Sequence, residues 1–196
     1  VTRAEDIQIV EGVLSGTVNQ RISSWLEANG VSCRPMSGKT QNLFVVEPLT
    51  RNGRNLGFVG KIKQVHPAVA VDAIRAGRVP VISPISANEQ GESYNVNADS
   101  AAAALAAAAH CTDLVFITDV PGVLIEEQTR SSLSVKESQT LIADGVILGG
   151  MVAKMESAFD ALAQNVARVH IIQWQGAHTL REVIQQQSKA GTTVRR

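Results

Sequence analysis

The chain has 196 residues, 44% of them hydrophobic and 4% aromatic, enough to close the core of one domain or of one large and one small lobe. Eighteen Lys and Arg balance eighteen Asp and Glu for a formal net charge of zero, which argues against a polyanion-binding surface and against nucleic acid as the partner. No stretch reaches the ~18 uninterrupted apolar residues of a membrane span, and Val1-Thr-Arg-Ala-Glu-Asp6 does not read as a signal peptide, so a cytoplasmic location and no membrane partner are expected. Cys33 and Cys111 lie far apart and outside any CxxC pair, which removes zinc and thioredoxin-type chemistry; two buried free thiols are expected, and no protein-held metal.

In chain order, Thr2 reads as the cap of a helix whose apolar positions are Ile7, Ile9, Val10, Val13 and Leu14. Ser15-Gly16 is expected to interrupt it, with a second helix from Val18 to Ala28 ending at Asn29-Gly30. Asn42 to Leu49 and Leu56 to Val65 read as strands of an exposed hairpin around the turn-like Thr50–Asn55. From Pro67 helices and strands alternate. Ala68–Ala76 is a helix stopped by Gly77, and Val79–Ser86 a short buried strand. An alanine-rich helix, Ala98–His110, precedes a buried strand at Leu114–Ile117, then helices at Ser134–Asp144 and Met151–Asn165. A strand at Val169–Ile172, a helix at Thr179–Gln187 and a strand at Gly191–Val194 follow. The class is α/β: a mostly parallel sheet flanked by helices, an αβα sandwich, with an appended β-hairpin lid around residues 40–65.

Three clusters carry chemistry. Asn95, Asn97 and Asp99 alternate with small apolar residues at the start of the alanine helix, where backbone N–H groups are free; a helix cap needs only one of them. Thr118-Asp-Val-Pro-Gly-Val-Leu124 follows a strand directly, where open α/β sheets bind ligands, although Asp with Pro-Gly also suits an ordinary turn. Gly149-Gly-Met-Val-Ala-Lys154 opens a helix whose N-terminus favours an anion, with Lys154 one turn in; the plain alternative is a loop and a solvated lysine. The GxxxxGK[ST] pattern is absent.

The three clusters in this order, with Leu14-Ser-Gly-Thr-Val-Asn19 and Val169-His-Ile-Ile172, resemble the amino acid kinase superfamily and, within it, its N-acetylglutamate kinase branch. The resemblance covers essentially the whole chain. It implies phosphorylation of the γ-carboxylate of N-acetyl-L-glutamate by ATP with Mg²⁺, a step of arginine biosynthesis, by a homodimer. It implies Lys154 and Asp99 as catalytic residues, Lys154 on the transferring phosphoryl group and Asp99 organising lysines by ion pairing. Asn95 and Asn97 would bind substrate. Thr118, Asp119, Val120, Pro121, Gly122, Val123 and Leu124, with Val146, Ile147, Leu148, Gly149, Gly150 and Met151, would hold the nucleotide. Residues 1–66 would be the remainder of a substrate-binding lobe with its lid, and 67–196 the nucleotide-binding lobe. Lys39, in Ser37-Gly-Lys39, is taken as a lid or surface lysine.

The same resemblance implies a strand with a catalytic lysine, a glycine-rich loop and a carboxylate-gripping arginine before Val1-Thr2. Without those donors the chain alone is expected to have little or no kinase activity, since one oxyanion donor is worth ~3 kcal/mol. Gln173-Trp-Gln-Gly176 also departs from the family's Asp-Gly-Arg type of turn. Two rivals stay open: the kinase-like regulatory domain of an N-acetylglutamate synthase, and a non-catalytic nucleotide-binding or dimerisation module.

Overall fold

A computed structural model describes residues 1–185 and 191–196. They form two units, Val1–Ala101 and Ala102–Arg196, with the division inside helix α4 (Ala98–Ala108). The lobes drawn at 66 and 67 above follow expected ligand roles, whereas these units follow backbone contacts. Among the described residues no helix is long and apolar enough to cross a membrane.

The first unit opens with α1 (Ala4–Glu11), whose N-cap is Arg3 rather than Thr2. Asp6, at the third helical position, accepts from Arg3 Nε at 2.8 Å, placing a carboxylate where the helix dipole favours it. Thr2 is drawn elsewhere: its N–H donates to the Leu56 carbonyl at 3.1 Å and its carbonyl accepts from Phe58 N–H at 2.7 Å. Ser15-Gly16 does not break the helix. Gly12–Val18 continues it as a π-helix, with Asn19 N–H reaching back to the Leu14 carbonyl, and α2 (Asn19–Ala28) follows without a gap. The two glycines, Gly12 and Gly16, tolerate the widened turn at no side-chain cost.

Strand β1 (Cys33–Ser37) has no clear signature in the sequence, and pairs in parallel with β4 (Val79–Ser83). Asn19 holds that pair to the helix, donating from Nδ2 to the Val81 carbonyl at 2.8 Å and the Met36 carbonyl at 3.2 Å. Strands β2 (Phe44–Arg51) and β3 (Arg54–Val65) form the expected hairpin, turned at Asn52-Gly53 with φ of 51° and 74°. The apolar run Phe44-Val-Val46 is buried, while most of β3 is not. The helix α3 (Ala68–Arg75) stops at Gly77, φ 72°, where Arg78 N–H bonds the Ala73 carbonyl in a Schellman closure. The strand read as Val79–Ser86 ends at Ser83 and is only half-buried; Ser86–Ala87 is a separate short strand, β5, beside β2. The β6 strand (Ser93–Tyr94) then pairs with β5 and leads into α4.

In the second unit β7 (Asp113–Thr118) and β11 (Arg168–Gln173) are parallel neighbours, and β12 (Thr192–Arg195) runs antiparallel to β11 and parallel to β10 (Ser132–Ser134). Ile117 is half exposed rather than buried, because its side of β7 lies outside the core. A small hairpin, β8 (Leu124–Ile125) and β9 (Gln128–Thr129), follows the Pro-Gly turn. The core is built from α4 alanines (Ala103, Ala106, Ala107), from Met155, Ala158 and Leu162 of α6 (Gly150–Ala163), and from the inward residues of β7, β11 and β12. The small α4 side chains let that helix lie close to its neighbours, so the alanine run is a packing device. The α5 helix (Val135–Ala143) begins with a capping box: Glu137 N–H donates to Ser134 Oγ at 3.1 Å and Ser134 N–H to Glu137 Oε2 at 2.7 Å. A last helix, α7 (Thr179–Ile184), is shorter than expected, and Gln187 lies outside the described residues. Both cysteines are free; Cys33 is buried as expected, but Cys111, just past the end of α4, is exposed.

Candidate functional site

In the second unit, the loop after β7 and the segment before α6 face each other across a cleft of about 170 Å³ lined by Val120, Gly122, Val123, Leu124, Val146, Ile147 and Met151. All seven belong to the set read from sequence. Thr118, Asp119, Pro121, Leu148, Gly149 and Gly150 adjoin this lining without forming it. The lining is apolar, and Leu124, Val146 and Leu148 keep 42%, 45% and 67% of their surface exposed. Such a wet apolar face suits a flat heteroaromatic ring better than a charged group. At the cleft's edge Thr118 Oγ1 donates to Asp119 Oδ1 at 3.1 Å, and Gln173 Nε2 donates to the Asp119 carbonyl at 3.0 Å.

Local chemistry explains how both walls reach the cleft. On one side, α5 ends in a second Schellman closure. Gly145 takes φ 71°, and the Leu141 carbonyl accepts from Val146 N–H at 2.9 Å and from Ile147 N–H at 3.0 Å. On the other side, Gly122 sits at φ 146° with no room for a side chain: an added Cβ would stand 2.7 Å from Thr192 Oγ1 and 3.0 Å from Thr192 N. Thr192, which is buried, accepts from Val123 N–H at 2.8 Å and donates to the Arg130 carbonyl at 2.7 Å. Sequence reasoning passed over Thr192, because a threonine in a strand is unremarkable; the only local hint is that Gly122 must have a close neighbour.

The start of α6 adjoins the cleft through Met151. Gly149 caps the helix at φ 59°, ψ −133°, a conformation open only to glycine, and leaves the first-turn N–H groups unobstructed by a side chain. Lys154 lies one turn in and half-buried, its Nζ 5.1 Å from the centre of the Phe116 ring. That cation–π contact limits where the ammonium can swing.

In the first unit Asn95 is fixed by its backbone, whose N–H donates to Phe58 O at 2.8 Å and whose carbonyl accepts from Gly60 N–H at 2.9 Å. Its Nδ2 donates to Thr2 Oγ1 at 3.4 Å. Asn97 is exposed and is the residue that caps α4, its Oδ1 accepting from Ser100 N–H at 3.0 Å. Asp99 is half-buried in the helix's first turn. Lys39 is engaged: its Nζ is 2.8 Å from Glu11 Oε1 and 2.9 Å from Ser93 Oγ, while Ser93 Oγ donates to Glu11 Oε2 at 2.6 Å. Desolvation raises the Glu11 carboxyl, yet the bonds from Lys39 and Ser93 outweigh it and hold the group below its ordinary range.

Residues 1–173 match the Amino acid kinase family, and the chain belongs to that family. Among curated proteins, an acetylglutamate kinase of Carboxydothermus hydrogenoformans is 38% identical over 192 residues, covering 92% of this chain and 65% of the relative. The chain therefore spans a little under two thirds of that relative's length. Among solved structures, smu.665 from Streptococcus mutans UA159 aligns over 100% of this chain and 74% of its own, with a TM-score of 0.83 at 25% identity. The N-acetylglutamate synthase of Neisseria gonorrhoeae complexed with coenzyme A and N-acetyl-glutamate shares the fold at a TM-score of 0.85 and 22% identity, over 100% of this chain and 45% of that one.

Proposed function

We propose that this chain supplies the nucleotide side and part of the acetylglutamate side of an acetylglutamate kinase site, for moving the γ-phosphoryl group of MgATP to the γ-carboxylate of N-acetyl-L-glutamate in arginine biosynthesis. One observation carries the reading. The seven cleft-lining residues and Lys154 lie on two segments that meet at the cleft and at the N-terminus of α6. In this reading the adenine lies against Leu124, Val146, Ile147 and Met151, and Asp119 with Thr118 bonds the ribose. The α6 N-terminus and Lys154 take the phosphates. Asn95 and Asn97 are assigned to acetylglutamate, and Asp99 to a charge-organising role. A carboxylate nucleophile is ionised at neutral pH, so the transfer needs no general base. It needs alignment of the reactants and cations where charge spreads in the transition state. Mg²⁺ arrives with the phosphates and keeps most of its water. A cytoplasmic homodimer is proposed as the working form, with the relatives' name in support of the substrate.

Calorimetric titration of the chain with ADP, followed by N-acetyl-L-glutamate, tests this. ADP is expected to bind saturably, and Lys154→Ala to weaken it about tenfold, as removal of one charge-assisted phosphate bond does. Equal ADP affinity in wild type and variant would sink the role of Lys154. Binding of neither ligand would point instead to a non-catalytic module, and ADP binding without acetylglutamate binding to a regulatory kinase-like domain of the synthase type.

A further inference from the structure

A second, larger cavity of about 310 Å³ lies in the second unit, lined by Ile125, Arg130, Leu133, Lys136, Glu137, Thr140 and Leu141. None of these residues has a part in the nucleotide reading. Ile125, Leu133 and Leu141 give it an apolar floor, and Arg130 and Lys136 stand on its rim with no ion pair among the described residues. Glu137 is the one carboxylate in the lining, and it is turned to its own helix cap: Oε2 accepts from Ser134 N–H and Ser134 Oγ, both at 2.7 Å. Those two bonds, the backbone one first, hold its carboxyl below the ordinary range, and the charge of Arg130 adds to them. Two cations against one carboxylate leave the lining net positive, and with the apolar floor this favours a ligand with an anionic head and an apolar body. Its volume sits at the lower end of the ~300–1,000 Å³ of small-molecule sites.

The two cavities are lined by neighbouring residues. Leu124 lines one and Ile125 the other, as successive residues of a strand must face opposite ways. Arg130 on the rim donates its N–H to the carbonyl of Val123 in the nucleotide cleft at 2.9 Å. Leu141 on the floor holds both Val146 and Ile147 through its carbonyl. A body pressing on Ile125 and Leu141 thus acts on the segments that carry Leu124, Val146 and Ile147.

We propose that this cavity binds a small aliphatic carboxylate, with Arg130 and Lys136 on its head group and Ile125, Leu133 and Leu141 on its chain, and that its occupancy changes nucleotide affinity in the adjoining cleft. The coupling rests on the nucleotide reading; the binding does not.

Sodium hexanoate, with hexanol as the neutral control, is the probe, followed by amide NMR on the whole chain without nucleotide. Saturable shifts are expected at Ile125, Arg130, Leu133 and Leu141 with hexanoate and not with hexanol. The double variant Arg130→Ala, Lys136→Ala, whose side chains are exposed and whose fold is not at risk, should weaken hexanoate about tenfold or more. Shifts that fail to saturate, that hexanol reproduces, or that survive in the double variant overturn the site. ADP titrated with and without saturating hexanoate reads the coupling, expected as a change of at least about fivefold and matched by an equal effect of ADP on hexanoate. An unchanged ADP affinity overturns the coupling, whereas absence of ADP binding in both arms counts against the nucleotide reading and leaves the hexanoate result standing.

Discussion

Two hairpins of this chain, β2–β3 and β8–β9, make the same two-residue turn from unlike sequences. Between β2 and β3 the turn residues are Asn52 and Gly53, at φ 51° and 74°; between β8 and β9 they are Glu126 and Glu127, at φ 49° and 62°. Asn-Gly is the pair that adopts this mirror-image turn most readily, so the first hairpin is specified by its own turn. Glutamate in the left-handed region costs roughly 1–2 kcal/mol per residue. The second hairpin is only two residues deep on each strand and must be held by what surrounds it. Ile125 packs against the core, Val123 just before it is pinned by Thr192, and Leu124 borders the cleft. The locally favoured turn stands in the long hairpin, and the locally disfavoured one in the short hairpin that follows the cleft residues Val123 and Leu124.

The contrast is broken most severely at its glycines. Gly122→Ala forces a methyl group against Thr192 at a φ that alanine avoids, and should cost about 2–4 kcal/mol in urea unfolding. Gly53→Ala meets nothing within 4 Å among the described residues and should cost only the ~1 kcal/mol of its φ. Equal losses at the two would mean that the cleft loop is not pinned as described. Next in size, Thr192→Val removes an acceptor for Val123 N–H and a donor to the Arg130 carbonyl, for about 1–3 kcal/mol, and should weaken ADP in the same variant. A stability loss with unchanged ADP affinity would separate Thr192 from the cleft. Exchanging the turns sharpens the comparison. Glu126-Glu127→Asn-Gly should raise stability by about 1–2 kcal/mol, and Asn52-Gly53→Glu-Glu should lower it by a similar amount. Should the first exchange leave stability unchanged, the glutamates are not strained.

Cross-strand charge pairs carry the contrast into pH dependence. Glu47 faces Lys61 across β2–β3, 4.0 Å apart and well exposed. Asp113 faces Arg168 across β7–β11 in a two-pronged contact of 2.6 and 2.9 Å, largely buried, and also meets His170 Nε2 at 3.0 Å. The Arg168 bond, opposed by desolvation and helped by His170, holds the Asp113 carboxyl below its usual range. A carboxyl lowered on folding contributes stability that is fully present above its unfolded value near ~3.9 and is lost as pH falls through the folded value. Asp113→Asn should therefore be less stable than wild type at pH 7, with the gap closing below about pH 4. Glu47→Gln should change stability by no more than about 0.5 kcal/mol at pH 7, as expected of a screened surface pair. A gap at Asp113 that persists unchanged at pH 2–3 would show that shape, not charge, is what the substitution removes.

What could be read in advance follows the same divide. The turn within Thr50–Asn55, the helix beginning at Ser134 and the stop at Gly77 are decided within a few residues, and each was legible. Strand β1 was not, because Cys-Arg-Pro-Met-Ser becomes a strand only beside Val79–Ser83, more than forty residues on. The Glu126-Glu127 turn and the π-helical Gly12–Val18 break local rules for reasons that lie in their neighbours. Of the candidate site, the cleft-lining residues were named through their resemblance to a family, since apolar residues around a Pro-Gly turn carry no binding signal of their own. Thr192 and the second cavity were invisible, because each exists only once distant segments meet.

Thr192 also fixes an order of events during synthesis. The loop it shapes precedes it by 69 residues, so Val123 has no partner for its N–H while the intervening chain is still being made. Residues decided locally, such as the β2–β3 hairpin, can settle as they leave the ribosome. The cleft cannot, and a nascent chain paused before Thr192 would leave Val123 unpinned and its apolar neighbours open to chaperones.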